Sequence, residues 1–218
     1  MYVKDWMSKD PIYLNVDDSI SKAYDIMKEH DFHRIPIMEN GKLVGIITGS
    51  TLADYTPSKA TTLSIYEINS LLQRTLCKEI MVKDVVTIYP EALLEEAADK
   101  MLVNNITCLP VLDRDTNKLV GIITQKVIFG AFVDLMGYYS NGSRVVVEVN
   151  EDKPGIMASI ADVLGDAGVN ISHLAVYHYD NIQIVIRVYE EDAKKVADVL
   201  TSNGYKVNDY RVNELHSR

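Results

Sequence analysis

The sequence predicts a mixed α/β protein built from two similar units and a third unit of different pattern. One observation is a repeat. The heptapeptide KLVGIIT occurs at residues 42–48 and again at residues 118–124, inside a longer similarity that contains one gap. The other observation is the apolar pattern after residue 140, which predicts strands and helices in the order βαββαβ. An exact repeat of this length argues against chance, so we expect the first two units to share one fold.

Each copy of the repeat carries the same predicted elements. A short apolar strand precedes a helix with an acidic start, and two further strands form a hairpin, which in the first copy turns at Asn40-Gly41. A unit of about 60 residues buries too little apolar surface to be stable alone, so we expect the copies to pack face to face. The predicted strands are Ile12–Val16, Arg34–Met38 and Leu43–Thr48, then Val85–Ile88, Cys108–Leu112 and Leu119–Thr124, and the helices start at Asp17-Asp18-Ser19 and at Glu91.

An apolar stripe at helical spacing predicts a helix in the linker between the copies, at residues 57–76. We interpret the stripe as part of the protein core. It consists of Leu63, Ile65, Ile68, Leu71, Leu72 and Leu76.

The last third of the chain is predicted to have a ferredoxin-like βαββαβ order. Its first helix follows the break EDKPG and ends near Gly168, because glycine tolerates the positive φ of a helix C-terminus. A turn is predicted at Asp180-Asn181. The other predicted elements are the strands Arg144–Asn150, Ser172–Tyr177, Gln183–Tyr189 and Tyr205–Arg211 and the helix Glu191–Ser202.

Composition and charge limit the kinds of molecule that the protein is expected to bind. The chain has 218 residues and a formal net charge of −9, and neither the repeat nor the last third is basic. We therefore expect no binding to nucleic acid or to a membrane surface. No apolar stretch approaches the roughly 18–20 residues that cross a bilayer, and the first residues lack a signal-peptide core, so we expect a cytoplasmic protein.

No motif in the sequence is typical of an enzyme. Cys77 and Cys108 stand alone, without the spacing of metal ligands, and the five histidines form no HExxH pattern. Neither a P-loop nor a nucleophile elbow is present. We therefore expect no catalysis, no metal site and no required cofactor, and we interpret the two cysteines as ordinary buried thiols.

The repeat resembles a tandem pair of CBS domains, a Bateman module. The likeness is carried by MSKDPIYLNVDDSISKAYDIM and HRIPIMENGKLVGIIT in the first copy and by MVKDVVTIYPEALLEEAADKM and CLPVLDRDTNKLVGIIT in the second. DKPGIM at residues 152–157 and GVNI at residues 168–171 resemble an ACT domain. The domain order and the linker together resemble the AcuB family of acetoin utilisation proteins. The expected boundaries are 1–56 for the first CBS domain, 77–140 for the second and 141–218 for the ACT domain.

The CBS resemblance implies binding of adenosine-containing molecules in clefts between the copies. In this family a Thr-x-x-Asp motif places a hydroxyl near phosphate and a carboxylate on the ribose. Thr48 and Thr124 match the threonine, but Thr51 and Val127 stand where the carboxylate is expected. Thr51 retains one hydrogen-bonding hydroxyl, whereas Val127 has none. The alternative interpretation is that both GIIT segments are plain core strands.

Two cations add to this implied nucleotide site. Arg34 faces the first cleft, where it either contacts a phosphate or forms a surface salt bridge. Lys126 either contacts a phosphate in the second cleft or is a solvated side chain. The ligand implied by the resemblance is an adenine nucleotide, such as AMP, ADP or ATP, or a molecule like S-adenosylmethionine.

The ACT resemblance implies a second site, for a small ligand such as an amino acid. Gly155 permits close approach of backbone amides near a helix start, which suits a carboxylate. Asp152 and Asn170 match family positions that contact the ligand, or else are turn and capping residues. ACT domains form such a site between two copies, so a homodimer is expected.

These expectations combine into a non-catalytic regulatory protein that senses ligands. The CBS pair would bind an adenine nucleotide, the ACT domain an amino acid, and the response would pass to an unidentified protein target. The family likeness adds a link to acetoin catabolism. The alternative is a scaffold with empty CBS clefts, serving dimerisation and protein docking, which the missing carboxylates favour.

Overall fold

A computed structural model describes residues 1–56, 64–151, 153–178 and 181–213 of the chain. The chain divides into two units, Met1–Ile128 and Phe129–Arg218. The first unit holds both copies of the repeat, and the second holds the βαββαβ segment. None of the helices in the described part of the chain combines the length and apolar character needed to span a membrane.

The first unit consists of two small sheets with helices. Strands β2, β3 and β4 form one three-stranded sheet, and strands β1, β6 and β5 form the other. The elements are β1 (Ser8–Lys9), β2 (Leu14–Asn15), α1 (Ile20–His30), β3 (Arg34–Glu39), β4 (Lys42–Thr48), α2 (Gly49–Tyr55), α3 (Ile65–Arg74), α4 (Cys77–Ile80), α5 (Leu94–Val103), β5 (Cys108–Leu112), β6 (Leu119–Thr124) and α6 (Gln125–Leu135), the last of which continues into the second unit.

Local sequence sets the ends of these elements. The Ser19 hydroxyl accepts a hydrogen bond from the Lys22 backbone N–H and so caps α1. Asp31 ends that helix in the left-handed conformation. The hairpin turn at Asn40 and Gly41 has φ of 49° and 77°, the positive values that a two-residue turn of this kind requires. The hairpins predicted in both copies are confirmed.

The two copies exchange their first strands. Ser8, from the start of the first copy, pairs with Ile122 in the sheet of the second copy. In the reverse direction Val82, from the start of the second copy, forms a bridge with Ile46 in the sheet of the first. The paired packing that the repeat predicted is therefore reinforced by backbone hydrogen bonds between the copies.

Each sheet turns one face to its own helices and the other toward the partner copy. Ile35, Ile37 and Ile47 pack with α1 and α2 in the core of the first copy. Pro36 lies on the opposite face, because side chains alternate along a strand, yet it is buried, as is its counterpart Pro110. This second face is therefore also covered.

Two expectations in this unit are wrong. The segment Val85–Ile88 does not form a strand and contributes a single bridge, from Ile88 to Val111. The linker helix α3 is present and packs mainly against α1. Only part of its apolar stripe joins the core: Leu72 packs against the core of the first copy, whereas Ile65 is 69% and Leu71 44% exposed. Leu63 lies outside the described residues.

The second unit has the predicted ferredoxin-like order. Its four strands form one antiparallel sheet in the order β10-β7-β9-β8, and both helices pack on one face. The elements are β7 (Ser143–Val149), α7 (Ile156–Asp166), β8 (Ile171–His178), β9 (Ile182–Val188), α8 (Ala193–Ser202) and β10 (Lys206–Val212). Gly168 follows α7 with φ of 71°, as predicted. Asp180, of the predicted turn, lies outside the described residues.

The entry into this sheet is tightly constrained. Gly142 has φ of 105°, and a Cβ at this position would lie 1.9 Å from the Val188 carbonyl oxygen. The next residue, Ser143, is fully buried, and its hydroxyl donates to the Glu190 carbonyl at 2.6 Å. Gly142 and Ser143 thus anchor the start of strand β7.

Candidate functional site

Three of the predicted site residues lie at the ends of strands, Arg34 at the start of β3, Thr48 at the end of β4 and Thr124 at the end of β6. Arg34 is the cross-strand partner of Thr48, and at the equivalent place in the second copy Cys108 is the partner of Thr124. Burial raises the pKa of the Cys108 thiol to about 11, and the positive charge of Arg34 opposes this rise. Arg34 therefore lies close enough to the second copy for its charge to act there.

At the first end of the predicted cleft, where β4 ends, the structure brings three hydroxyls together. The Thr48 Oγ1 lies 2.8 Å from the Thr51 Oγ1 and 2.7 Å from the Ser50 Oγ. It also accepts a hydrogen bond from the Thr51 backbone N–H at 3.1 Å, which makes Thr48 the N-cap of α2. With Arg34 beside Thr48, this end offers one guanidinium and several hydroxyls to a ligand.

The second end of the cleft has different chemistry. The Thr124 Oγ1 accepts from the Val127 backbone N–H at 3.4 Å, a weak capping contact. Lys126 is exposed, two residues along the chain. Cys108 replaces Arg34 here and Val127 replaces Thr51, so this end lacks the guanidinium and the second hydroxyl. The two ends are therefore related by the repeat but not equivalent as binding sites.

A methionine at the start of each copy packs against the glycine in the GIIT segment of the other copy. A Cβ built on Gly45 would lie 2.5 Å from the Met81 Sδ, and one on Gly121 would lie 2.6 Å from the Met7 Sδ. Met81 packs against the core of the first copy. The glycine of each GIIT segment is thus the place where a methionine of the other copy enters, which sequence reasoning missed. The alignment of Met7 with Met81 was visible, but their long-range contacts were not.

A separate apolar groove of about 510 Å³ lies on the helical side of the first copy, between α1 and α2. Its lining includes Tyr24, Met27, Phe32 and Leu52. None of the predicted nucleotide-binding residues borders it. The groove therefore belongs to the outer surface of the helices and not to the cleft between the copies.

The loop before α7 is the place where the sequence predicts the second site. Residues 153–158 line an open groove of about 600 Å³. Gly155 has φ of 92°, and a Cβ there would meet no atom within 4 Å, so the space beside its backbone is open. The N-terminal amides of the eleven-residue helix α7 begin at this point. Asp152 lies outside the described residues.

Asn170 lies at the other end of the same sheet. Its carbonyl accepts from the Tyr189 backbone N–H, next to the start of β7, whereas Gly155 follows the end of β7. Strand β7 separates the two by about 20 Å at roughly 3.4 Å per residue. One small ligand that touches both Gly155 and Asn170 therefore requires two chains.

The comparisons with known proteins agree with this architecture. Residues 3–57 and 77–134 match the CBS domain family, and residues 143–202 match the ACT domain family. The chain therefore belongs to the CBS-domain family, as a tandem CBS pair followed by an ACT domain.

Individual relatives match over the CBS pair. L-aspartate semialdehyde sulfurtransferase from Methanocaldococcus jannaschii is 34% identical over 131 residues, which are 60% of this chain but 23% of that enzyme. The chain thus spans less than a quarter of that curated relative, and the similarity to the enzyme is partial.

Two solved structures are matched over nearly their whole length. The CBS domain pair of protein MJ0100, in complex with 5′-methylthioadenosine and S-adenosyl-L-methionine, is 32% identical with a TM-score of 0.51, covering 62% of this chain and 97% of that one. A structure described as an acetoin utilization protein (AcuB) from Vibrio cholerae is 30% identical with a TM-score of 0.52, covering 63% of this chain and 93% of that one.

Proposed function

We propose that this protein is a non-catalytic regulatory sensor whose CBS pair binds an adenine-containing ligand. The single observation that carries the proposal is the set of polar groups at the first end of the cleft, Arg34 with Thr48 and Thr51. The similarity to a CBS pair that binds 5′-methylthioadenosine and S-adenosyl-L-methionine supports an adenosine ligand.

The first end of the cleft is the better binding site in this proposal. The Arg34 guanidinium would pair with an anionic group, since its planar fork suits phosphate and carboxylate. Hydroxyls of Thr48 and Thr51 would hydrogen-bond to phosphate or ribose in place of the missing carboxylate. At the second end, Lys126 supplies the cation, and Val127 offers no polar contact. We expect weaker binding there.

The ACT domain is proposed to bind a small ligand such as an amino acid in a homodimer. The open space at Gly155 and the helix start behind it suit a carboxylate. Asn170 would come from the partner subunit, because the two positions lie at opposite ends of the sheet. Binding of either ligand would change the affinity for the other reciprocally, and the response would pass to a protein target.

A scaffold without ligand is the second candidate function. It is favoured by the Thr48 hydroxyl, which already caps α2, and by the absence of a carboxylate at both Thr51 and Val127. In that case the CBS pair would serve dimerisation and partner docking. The similarity to AcuB supports a role connected with acetoin catabolism for either candidate.

A thermal-shift titration separates the two candidates. The panel holds AMP, ADP, ATP, S-adenosylmethionine, 5′-methylthioadenosine and the common amino acids. Binding at 100 times Kd stabilises the folded state by about 2.7 kcal/mol, which raises the midpoint by several degrees. A concentration-dependent shift with an adenine compound supports the sensor. No shift with any of them, in protein shown to carry no nucleotide from expression, supports the scaffold.

A further inference from the structure

A row of three arginines and one histidine crosses the sheet of the second unit. In this row His173 pairs with Arg187, Arg187 with Arg144, and Arg144 with Arg211, so the row runs over β8, β9, β7 and β10. Cross-strand partners share one face of a sheet. The helix-facing core of β7 includes Val145 and Val147, so the row lies on the opposite face.

One carboxylate within the described residues neutralises part of this row. The Asp209 Oδ2 accepts from the Arg144 Nη1 at 2.8 Å and from the Arg211 Nη2 at 2.7 Å. Three guanidiniums thus face a single bridging carboxylate. The arrangement also demonstrates that two neighbouring arginines of the row can hold one oxyanion between them.

Arg187 lies in the middle of the row, and its positive charge is not neutralised by Asp209. Its Nη1 donates to the neutral Asn213 Oδ1 at 2.6 Å, and none of the carboxylates in the described chain forms an ion pair with it. Burial lowers the pKa of the Arg187 guanidinium, and the neighbouring Arg144 lowers it further. Like charges placed directly opposite each other on a sheet are unfavourable, and such local conflicts are typical of functional sites.

We propose that this row, centred on Arg187 and Arg144, is a binding site for a small polyvalent oxyanion. Neighbouring strands lie about 4.8 Å apart, so adjacent guanidiniums can share the oxygens of one phosphate or carboxylate group. A second anionic group on the same molecule would reach Arg211. The partly buried side chains of Arg144 and Arg187 make each contact stronger than on an open surface.

The oxyanion site is distinct from the groove at Gly155. The groove at Gly155 begins beyond the end of β7 and at the start of α7, on the helix side. The row lies one residue inside the opposite end of β7, on the face away from α7 and α8, where Gly137, after the end of α6, packs against His173. A chain of net charge −9 repels anions over most of its surface. The local positive charge of the row would therefore direct an anion to this place on the protein.

Isothermal titration of the full chain with pyrophosphate and with citrate tests the proposal, because neither probe carries an adenine or an amino acid group. The key variant is Arg187→Gln, which removes the charge and keeps a side chain able to donate to Asn213. The matched control is Lys194→Gln, the same charge change on the exposed surface of α8, where Lys194 pairs with Asp198.

We expect saturable binding of at least one probe to the wild type, weakened by about tenfold or more in Arg187→Gln. Lys194→Gln should stay within about twofold of the wild type. The better probe identifies phosphate or carboxylate as the preferred group. The thermal midpoint of Arg187→Gln should equal or exceed that of the wild type, because a like-charge neighbour is removed.

Three results overturn the proposal. The first is the absence of saturable binding of both probes to the wild type. The second is an equal effect of Arg187→Gln and Lys194→Gln, which would assign the binding to overall charge. The third is a lower midpoint in Arg187→Gln with unchanged anion affinity, which would make the residue a purely structural link to Asn213.

Discussion

The sulfur of Met81 occupies the space that a side chain at Gly45 would need. A Cβ on Gly45 would lie 2.5 Å from that sulfur, and Met81 packs against the core of the first CBS copy although it belongs to the start of the second. Gly121 and Met7 repeat the relationship in the other direction. A methionine of each copy thus packs inside the other copy, and the two copies form a single structural unit.

The first prediction compares alanine at the two glycines. We expect Gly121→Ala to cost more free energy of unfolding than Gly45→Ala, both in the range of about 1–3 kcal/mol. At Gly45 the three atoms nearest to the Cβ all belong to the Met81 side chain, whose end can move. At Gly121 the Cβ would also lie 2.9 Å from the Ser8 backbone oxygen, which cannot move without breaking the exchanged strand.

Urea unfolding measures both costs, with Gly130→Ala as the control, because a Cβ on that helical glycine meets no atom within 4 Å. In a double-mutant cycle, Met81→Ala should recover most of the cost of Gly45→Ala, whereas Met7→Ala should recover only part of the cost of Gly121→Ala. Equal costs with equal recovery would contradict the role given to the Ser8 backbone.

The second prediction concerns the hydroxyl of Thr48. Thr48→Ala removes the N-cap of α2 and two side-chain contacts, so we expect a loss of about 1 kcal/mol in the free energy of unfolding. Thr48→Ser keeps the cap and should be close to neutral. Thr124→Ala should cost less than Thr48→Ala, since its contact to the Val127 N–H is longer, at 3.4 Å. A larger cost for Thr124→Ala than for Thr48→Ala would contradict the stronger capping role given to Thr48.

The third prediction is a pH dependence of stability in the alkaline range. Burial raises the pKa of both thiols, Cys77 and Cys108, from an ordinary value of 9.0 to about 11. The unfolded chain therefore ionises first, so the thiol contribution is intact below about pH 9 and is lost as the pH rises to about 11. Each thiol should account for on the order of 1–2 kcal/mol.

Chemical denaturation at pH 8, 9, 10 and 11 follows this loss. The double variant Cys77→Ala/Cys108→Ala should be less stable at pH 8 but should lose less stability between pH 9 and 11 than the wild type. Identical slopes in the two proteins would mean that other groups, such as tyrosines and lysines, carry the whole dependence.

The fourth prediction concerns the start of the ACT sheet. Gly142→Ala combines positive φ with a Cβ 1.9 Å from the Val188 oxygen, so we expect a loss of about 3 kcal/mol or more in the stability of the second unit. Gly165→Ala is the control in helix α7, where a Cβ meets no atom within 4 Å, and it should stabilise by about 0.5–1 kcal/mol. Calorimetry that shows the same sign for both would refute this account.

The sequence predicted the hairpins and the third unit well because their signals are local. Strands β5 and β6 begin and end where the apolar pattern and the turn residues place them, and Gly168 follows α7 as a helix C-terminus requires. The exchange of Ser8 and Val82 between the copies was not predictable in this way, since pairing over more than 30 residues leaves no periodic signal in either segment.

The apolar pattern of the linker helix also could not predict how far the helix is buried. Periodicity places Ile65 and Leu71 on an apolar face but does not say whether a neighbour covers it, and both are exposed. The CBS resemblance predicted Arg34 and Thr48 as residues of the candidate nucleotide site, and the structure makes the two cross-strand partners. The charge of Arg34 acting on Cys108 depends on how the two sheets face each other, which the sequence of either copy does not contain.

The most direct test of the central claim is isothermal titration of ligand-free protein with AMP and with 5′-methylthioadenosine, in the wild type, Arg34→Gln and the control Arg74→Gln on the exposed end of α3. We expect at least one adenine ligand to bind in the wild type. Arg34→Gln should weaken AMP by about tenfold but leave the uncharged 5′-methylthioadenosine unchanged, and Arg74→Gln should change neither. No binding of either ligand to the wild type, or AMP binding unaffected by Arg34→Gln, would contradict the proposed cleft.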